Sequence, residues 1–342
     1  MSGKTAWPEA AKSELKQANP LEHLQKKWGD WLIQPYYDAK GSGSSHGVQK
    51  LSFPHKAANG WFNLPLVNVN SDEPNSLAVN HLNCGADGVV FRLNNSVKPE
   101  TLLNNIKPEF CFLGFDANAD AIQFFLEADS WLQPAEKIQG AIFWNENTEW
   151  LKVARLFKAH ANFRCFGIHV GTLDANNLER AFRDAIAALD ELTDNTFTAP
   201  TVLPKFAFTV TGTNNFFLDV AMIRSLKILF ERLATAYGVL GVAAFVRYVT
   251  QPISPTAYDP HGVMIGSSLN ALSATAASVD AITVDVENQN SNLHLHTARS
   301  VSLLLKEESK LDKVIDPLTG SYFIENLTSS IVNKIWTNLK NS

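Results

Sequence analysis

From residue 61 onward the chain alternates between short apolar runs, each the length of a β-strand, and longer segments with helical periodicity. The runs lie at 61–69, 88–93, 110–115, 140–145, 165–170, 205–210, 242–249 and 281–286. They are rich in Phe, Val and Ile, whose bulk suits a pleated, packed surface. Between them, 120–132, 149–160, 174–192 and 216–237 repeat apolar residues at helical spacing. Strand–helix–strand order favours parallel pairing, because the crossover returns the chain to the end of the sheet where it began. Eight such strands can close on themselves, so the expected fold is α/β, a (β/α)8 barrel with an N-terminal extension. An open doubly wound sheet is the alternative. No G-x-G-x-x-G follows the first strands, so a dinucleotide-binding version of it has little support. The expected division is an N-terminal arm, 1–60, and a barrel domain, 61–342.

With 45% apolar residues among 342, the chain can bury a large core. A formal net charge of −5, without a basic stripe, gives no reason to expect nucleic acid or an anionic membrane as partner. The longest apolar runs are strand-sized, so no membrane span is expected. Residues 1–20 carry scattered charges and no apolar core, which is not the pattern of a signal peptide. Cys84, Cys111 and Cys165 are far apart and odd in number, as in a protein of the reducing cytoplasm. They are expected to be buried free thiols, with no zinc-type spacing among them. The arm reads as helical and then extended, with Trp28, Trp31 and Leu32 leading into Leu32-Ile33-Gln34-Pro35-Tyr36-Tyr37, followed by a flexible Gly/Ser tract at 41–45.

Active sites of such barrels form at the C-terminal strand ends. Those ends would place Arg92, Asp116, Asn145, Glu146 and His169 from the first half, and Thr211, Arg247, Gln251, Asp285 and Glu287 from the second. Arg247 is the foremost anion-binding candidate, with a buried ion pair as its other reading. His169 could be a base, a metal ligand or a satisfied core histidine; no second ligand stands at metal-binding spacing. His294 and His296, two residues apart, would not share a helical face and are assigned no metal.

The C-terminal segment Asp316-Pro317-Leu318-Thr319-Gly320-Ser321-Tyr322-Phe323-Ile324-Glu325-Asn326-Leu327-Thr328, then Trp336, resembles the D-P-x-x-G-S-Y signature that closes the barrel of the methylmalonyl-CoA mutase family. Asn215-Phe216-Phe217-Leu218-Asp219-Val220-Ala221-Met222-Ile223-Arg224 is similar to that family's N-F-F-x-E-I-A helix. Thr297-Ala298-Arg299-Ser300 with Lys306-Glu307-Glu308-Ser309 is similar to its A-R-N and Q-E-E-S elements. Gly85-Ala86-Asp87 leading to Arg92 looks like a strand of the small subunits. The resemblance runs best from 206 to 336.

In that family the large subunit interconverts methylmalonyl-CoA and succinyl-CoA with adenosylcobalamin, and the CoA chain threads the barrel. The small subunit keeps the folds without the active site. Arg247 and Gln251 keep their places in a motif resembling R-F-H-x-Q, but its substrate-contacting histidine position is Val249, which can neither donate nor carry a proton. The family's substrate-holding glutamine position is Phe143. Pro252-Ile253-Ser254-Pro255-Thr256 stands where T-S-G-W-S should follow. Asp259-Pro260-His261 is only superficially like the cobalt-ligating D-x-H-x-x-G, since Met264 stands where that glycine should be. The many strand phenylalanines would fill a barrel axis. The resemblance implies a small-subunit-like, non-catalytic partner of the mutase large subunit, with the arm as part of the contact, or a homodimer in that subunit's absence. It implies no cofactor held by this chain alone, and adenosylcobalamin in the holoenzyme. The chain would be a shortened small subunit or the barrel piece of a longer one. The alternative is a divergent stand-alone acyl-CoA-binding barrel enzyme, with Arg92, His169, Arg247 and Gln251 as its substrate-binding candidates.

Overall fold

The computed structural model describes residues 3–16, 19–38, 60–93, 97–251, 262–285 and 291–341. The 41–45 tract, the 252–256 and 259–261 segments and Glu287 lie outside the described residues. The arm contains α1 (Gly3–Leu15), α2 (Pro20–Leu24) and an antiparallel hairpin of β1 (Lys26–Trp28) and β2 (Trp31–Ile33). Ten strand segments follow: β3 (Phe62–Asn63), β4 (Leu66–Asn68), β5 (Gly88–Arg92), β6 (Phe112–Ala117), β7 (Gln139–Trp144), β8 (Phe163–Arg164), β9 (Phe166–Thr172), β10 (Phe206–Thr211), β11 (Phe245–Val249) and β12 (Ala281–Thr283).

All pairings among these ten are parallel, and they form two five-stranded sheets. The sheets are joined where one stretch of chain changes partner. Between β3 and β4, Leu64 N donates to Ile282 O at 2.9 Å, and Val90 N donates to Pro65 O at 2.9 Å. Pro65 has no N–H of its own, so the switch leaves no donor unpaired there. At Cys165 the chain passes from β8, paired with β7, to β9, paired with β10. Hydrogen bonding therefore runs round eight segments, in the order of a (β/α)8 barrel. The sequence runs at 61–69 and 165–170 are these two interrupted strands.

Helices fill the crossovers: α3 (Pro74–Asn83), α4 (Pro99–Leu103), α5 (Ile122–Ala128), α6 (Trp150–Leu156), α7 (Ala175–Asp194) with the short α8 (Ala199–Val202), α9 (Phe216–Ala236) and α10 (Gly262–Ala276). After the last strand come α11 (Asn292–Leu303) and α12 (Tyr322–Lys340). Asp174 caps α7, its carboxylate accepting from Asn177 N at 2.8 Å, and Ala181, Phe182, Ala185 and Leu189 form its buried stripe. The expected helices at 120–132 and 149–160 are shorter than their periodic stretches, since each is trimmed by turns at its ends. The closing helix begins at Tyr322, inside the C-terminal segment that carries the family resemblance.

Strand alternation divides the apolar residues into two clusters. Leu64, Leu66, Val90, Phe112, Ala141, Phe143, Ala207, Phe245 and Ala281 pack with one another inside the ring. Their neighbours in sequence, among them Phe91, Leu113, Phe115, Ile142, Phe208, Val246 and Ile282, pack outward against the helices. Gly114 has an interior role: a Cβ there would lie 2.7 Å from Val90 Cγ2 and 3.4 Å from Phe143 Cε2. The missing side chain makes room for the Phe143 ring. Outside the barrel, α12 lies on α7 and α9. That second covering explains why α9 is buried along most of its length, including Arg224, Ser225 and Lys227.

The arm folds back on its own chain. Trp28 and Tyr37 place their rings 5.9 Å and 5.2 Å from Phe323 at the start of α12. Lys334, also on α12, lies 2.8 Å from Asp30 and over the Trp31 ring. The cysteines depart in part from expectation: Cys165 is buried, Cys111 half-buried and Cys84 exposed. Cys84 is the residue that ends α3, at a turn into Gly85 rather than on a packed face. Burial pushes the Cys165 thiol up to about 12 and the Cys111 thiol up to about 11.

Candidate functional site

Inside the ring the side chains form layers. The lower one is aromatic. Phe112 and Phe245 stack with centroids 5.5 Å apart, Phe62 lies 4.8 Å from Phe112, and Arg164 lies 4.4 Å over the Phe245 ring. Desolvation lowers the Arg164 pKa, and Asp280 opposes this in part. Together with Ala141, Ala207 and Ala281 these rings occupy the barrel axis.

Above them, toward the C-terminal strand ends, is a polar layer. Arg247 on β11 reaches across the ring to Asp116 on β6. Its Nη1 is ion-paired with Asp116 Oδ1, and its Nη2 is 3.4 Å from Oδ2. Arg247 Nε donates to Thr283 Oγ1 at 2.9 Å, and that hydroxyl donates to Leu64 O at 2.9 Å. The guanidinium also lies 4.6 Å over the Phe143 ring. Arg247 is 1% and Asp116 8% exposed, so this is a desolvated pair held by hydrogen bonds and stacking. Arg92 at the end of β5 is half-exposed, its Nη2 3.9 Å from Asp116 Oδ2. One carboxylate thus faces two guanidiniums.

His169 on β9 faces the same end and is half-buried. Burial lowers its pKa; the Asp116 charge opposes this, while Arg180 and Arg247 add to it. It lines a cavity of about 350 Å³ with Asn145, Glu146, Trp150, Arg180 and Asp184. Arg180 is anchored there by donating to Val170 O at 2.9 Å, 3.6 Å from Asp184. Glu146 accepts from Ala119 N at 3.0 Å, and Asn145 donates to Asn118 Oδ1 at 3.0 Å.

The sequence candidates therefore divide. Arg92, Asp116, His169 and Arg247 converge, whereas Gln251 is exposed beyond the end of β11. Asp285 donates its backbone N–H to Thr250 Oγ1 at 3.0 Å. Phe143, at the family's glutamine position, is a stacking platform for Arg247; Val249 is half-buried at the end of β11. Thr283, which orients Arg247, was not on the sequence list; its place two residues beyond the inward-facing Ala281 was the available signal. Among the described residues, no group of three or more His, Cys, Asp or Glu side chains is arranged to hold a metal ion.

The sequence model of the family described as Methylmalonyl-CoA mutase matches residues 167–341, just over half the chain. A methylmalonyl-CoA mutase small subunit from Porphyromonas gingivalis is 33% identical over 156 residues, covering 43% of this chain and 25% of that protein. One from Streptomyces virginiae is 30% identical over 171 residues, covering 48% of this chain and 28% of that protein. The matched region thus spans between a quarter and three-tenths of these relatives' length. The solved structure of Yersinia pestis DHPS with a pterine-sulfa conjugate aligns over 74% of this chain and 95% of that one, with a TM-score of 0.40 and 12% identity. At that score the likeness adds nothing to the topology read from the hydrogen bonds. On the family match, which covers the strands and helices from β9 to α12, the chain belongs to the methylmalonyl-CoA mutase family.

Proposed function

We propose that this chain serves as a small-subunit-like, non-catalytic component of a methylmalonyl-CoA mutase, pairing with a catalytic large subunit in the cytoplasm. The observation that carries this reading is the filled axis. A pantetheine arm threading the barrel would have to displace the Phe112–Phe245 stack, and its acyl group would then meet an Arg247 already paired with Asp116. Removing two packed aromatic rings and a buried ion pair costs more than a modest ligand contact returns.

His169, the imidazole at the barrel mouth, is not held as a cobalt ligand would be. An imidazole that ligates a metal is normally fixed by a hydrogen bond from its other ring nitrogen to a carboxylate or carbonyl. Among the described residues, the His169 ring makes no such hydrogen bond, and the nearest charges include two guanidiniums. On this reading the cofactor of the holoenzyme belongs to the catalytic subunit.

The test has two parts. Co-expression with a catalytic large subunit should give one complex on size-exclusion chromatography, and recovery of the two chains as separate species at micromolar concentration would refute the reading. A calorimetric titration of this chain alone with methylmalonyl-CoA and with succinyl-CoA should show no saturable heat. In the absence of a large subunit, a homodimer is the expected state. The second reading, a stand-alone acyl-CoA-binding enzyme, draws on the cavity beside His169. About 350 Å³ is at the lower end for a small-molecule site and would suit a short acyl group rather than a whole coenzyme. Saturable heat with either ester would favour it.

A further inference from the structure

We propose that the C-terminal mouth of the barrel is a carboxylate-binding fork whose ligand is the chain's own Asp116. A site for a small carboxylic acid needs a guanidinium presented edge-on, held in place by its third nitrogen, on a platform that excludes water. Arg247 meets each requirement: both Nη atoms face one carboxylate, Nε is fixed by Thr283 Oγ1, and Phe143 lies beneath the plane. Thr283 is itself held by Leu64 O, so the orientation is built from the ring and does not depend on Asp116. Arg92 supplies a second cation at 3.9 Å, on the solvent side.

Two guanidiniums on one carboxylate are more positive charge than a single internal ion pair requires. The excess and the partial exposure of Arg92 fit a site shaped for an anion arriving from solution. Asp116 fills that site from β6, and so acts as an internal competitor that keeps small carboxylates out of the mouth. This inference does not rest on the subunit role proposed above, since it concerns carboxylates small enough to enter without moving the aromatic layer.

The experiment is chemical rescue of Asp116→Ala, read as melting temperature in formate, in acetate and in chloride at equal ionic strength. Alanine removes one carboxylate and leaves a space the size of formate. The expected result is a melting temperature that rises by a few degrees and saturates with formate, follows more weakly with acetate, and does not respond specifically to chloride. The wild-type chain and Asp116→Asn, whose mouths are filled, should show no carboxylate-specific rise. Adding Arg247→Met should abolish the rescue, and adding Arg92→Ala should weaken the apparent affinity several-fold. If Asp116→Ala does not fold in chloride, refolding yield becomes the readout, and formate must restore it. Equal effects of formate and chloride, or no recovery in formate, would overturn the proposal.

Discussion

Arg224 on α9 donates from Nη2 to the Glu325 carboxylate on α12 at 2.8 Å, across 101 residues of chain. Its Nη1 is ion-paired with Asp316. Glu325 also accepts from Gly320 N at 3.1 Å. The terminal signature and the α9 motif are thus two halves of one buried device. Asp316, in a left-handed conformation at φ 52°, turns the chain, Gly320 and Ser321 admit it to α12, and Glu325 in the first turn completes the pair. In this chain the two segments that resemble the family's motifs meet in a clamp between outer helices, away from the mouth of the barrel. Arg224 has no exposed side-chain surface, so removing it strands the buried Asp316 and the half-buried Glu325 without their cation. Arg224→Ala should therefore destabilise the chain by about 3–5 kcal/mol in urea denaturation, and Asp316→Asn by less, because Glu325 still neutralises the arginine. A loss within about 0.5 kcal/mol for Arg224→Ala, the range of an ordinary surface change, would refute the clamp.

The aromatic layer makes a second claim on stability. Phe112 is 1% exposed and touches two other rings in the axis. Its neighbours Ala141, Ala207 and Ala281 are too small to close over a void. Phe112→Ala should cost about 3–5 kcal/mol, measured by the same denaturation. Phe112→Leu should cost clearly less. Equal values for the two would mean that the axis is not packed around that ring.

Much of this architecture was legible because strands carry their own signal. The eight apolar runs correspond to the eight segments of the ring. What could not be read were relations across the ring. Asp116 stood on the list of strand ends, and so did Arg247. Their pairing joins residues 131 apart and depends on barrel closure, which no local pattern encodes. The partner switches at Pro65 and Cys165 were hidden for the same reason. Pro317 and Gly320 mark a turn in the C-terminal segment, but where the helix begins after it is set by the Glu325–Arg224 pair; α12 starts two residues after Gly320.

Asp219 offers a test of a buried acid held by neutral donors, Thr213 and Tyr248. It is 0% exposed, and burial raises its pKa despite hydrogen bonds from Thr213 and from Tyr248. Tyr248 Oη donates to its Oδ2 at 2.7 Å. A Cβ at Gly212 would collide with that hydroxyl, so the glycine and the tyrosine are coupled. Tyr248→Phe should cost about 1–3 kcal/mol at neutral pH, the usual penalty for a buried acceptor that loses a donor. Because the folded pKa of Asp219 is raised, its contribution is most favourable at low pH and declines as pH rises through that value. The loss in Tyr248→Phe should therefore shrink as the carboxyl becomes protonated. A loss that grows on acidification would contradict this account.

His81 carries the opposite dependence. It is 1% exposed on α3, its Nδ1 3.3 Å from Arg299 Nη1. A guanidinium can only donate, so Nδ1 is the acceptor and the ring is neutral, with its proton on Nε2. Burial first, then the Arg299 charge, lowers its pKa from 6.5 to about 4. Between those values the unfolded chain binds a proton that the folded chain refuses. Stability contributed by the neutral ring is thus complete above pH 6.5 and is lost as pH falls toward 4. The linkage slope of about 1.4 kcal/mol per pH unit limits the loss to roughly 3–4 kcal/mol. His81→Gln keeps an acceptor for Arg299 and removes the titration. Carboxylates titrate in both proteins, so the difference in unfolding free energy between wild type and variant isolates the histidine. That difference should move against the wild type as pH falls from neutrality to about 4, and a pH-independent difference would show that His81 is not held neutral by its site.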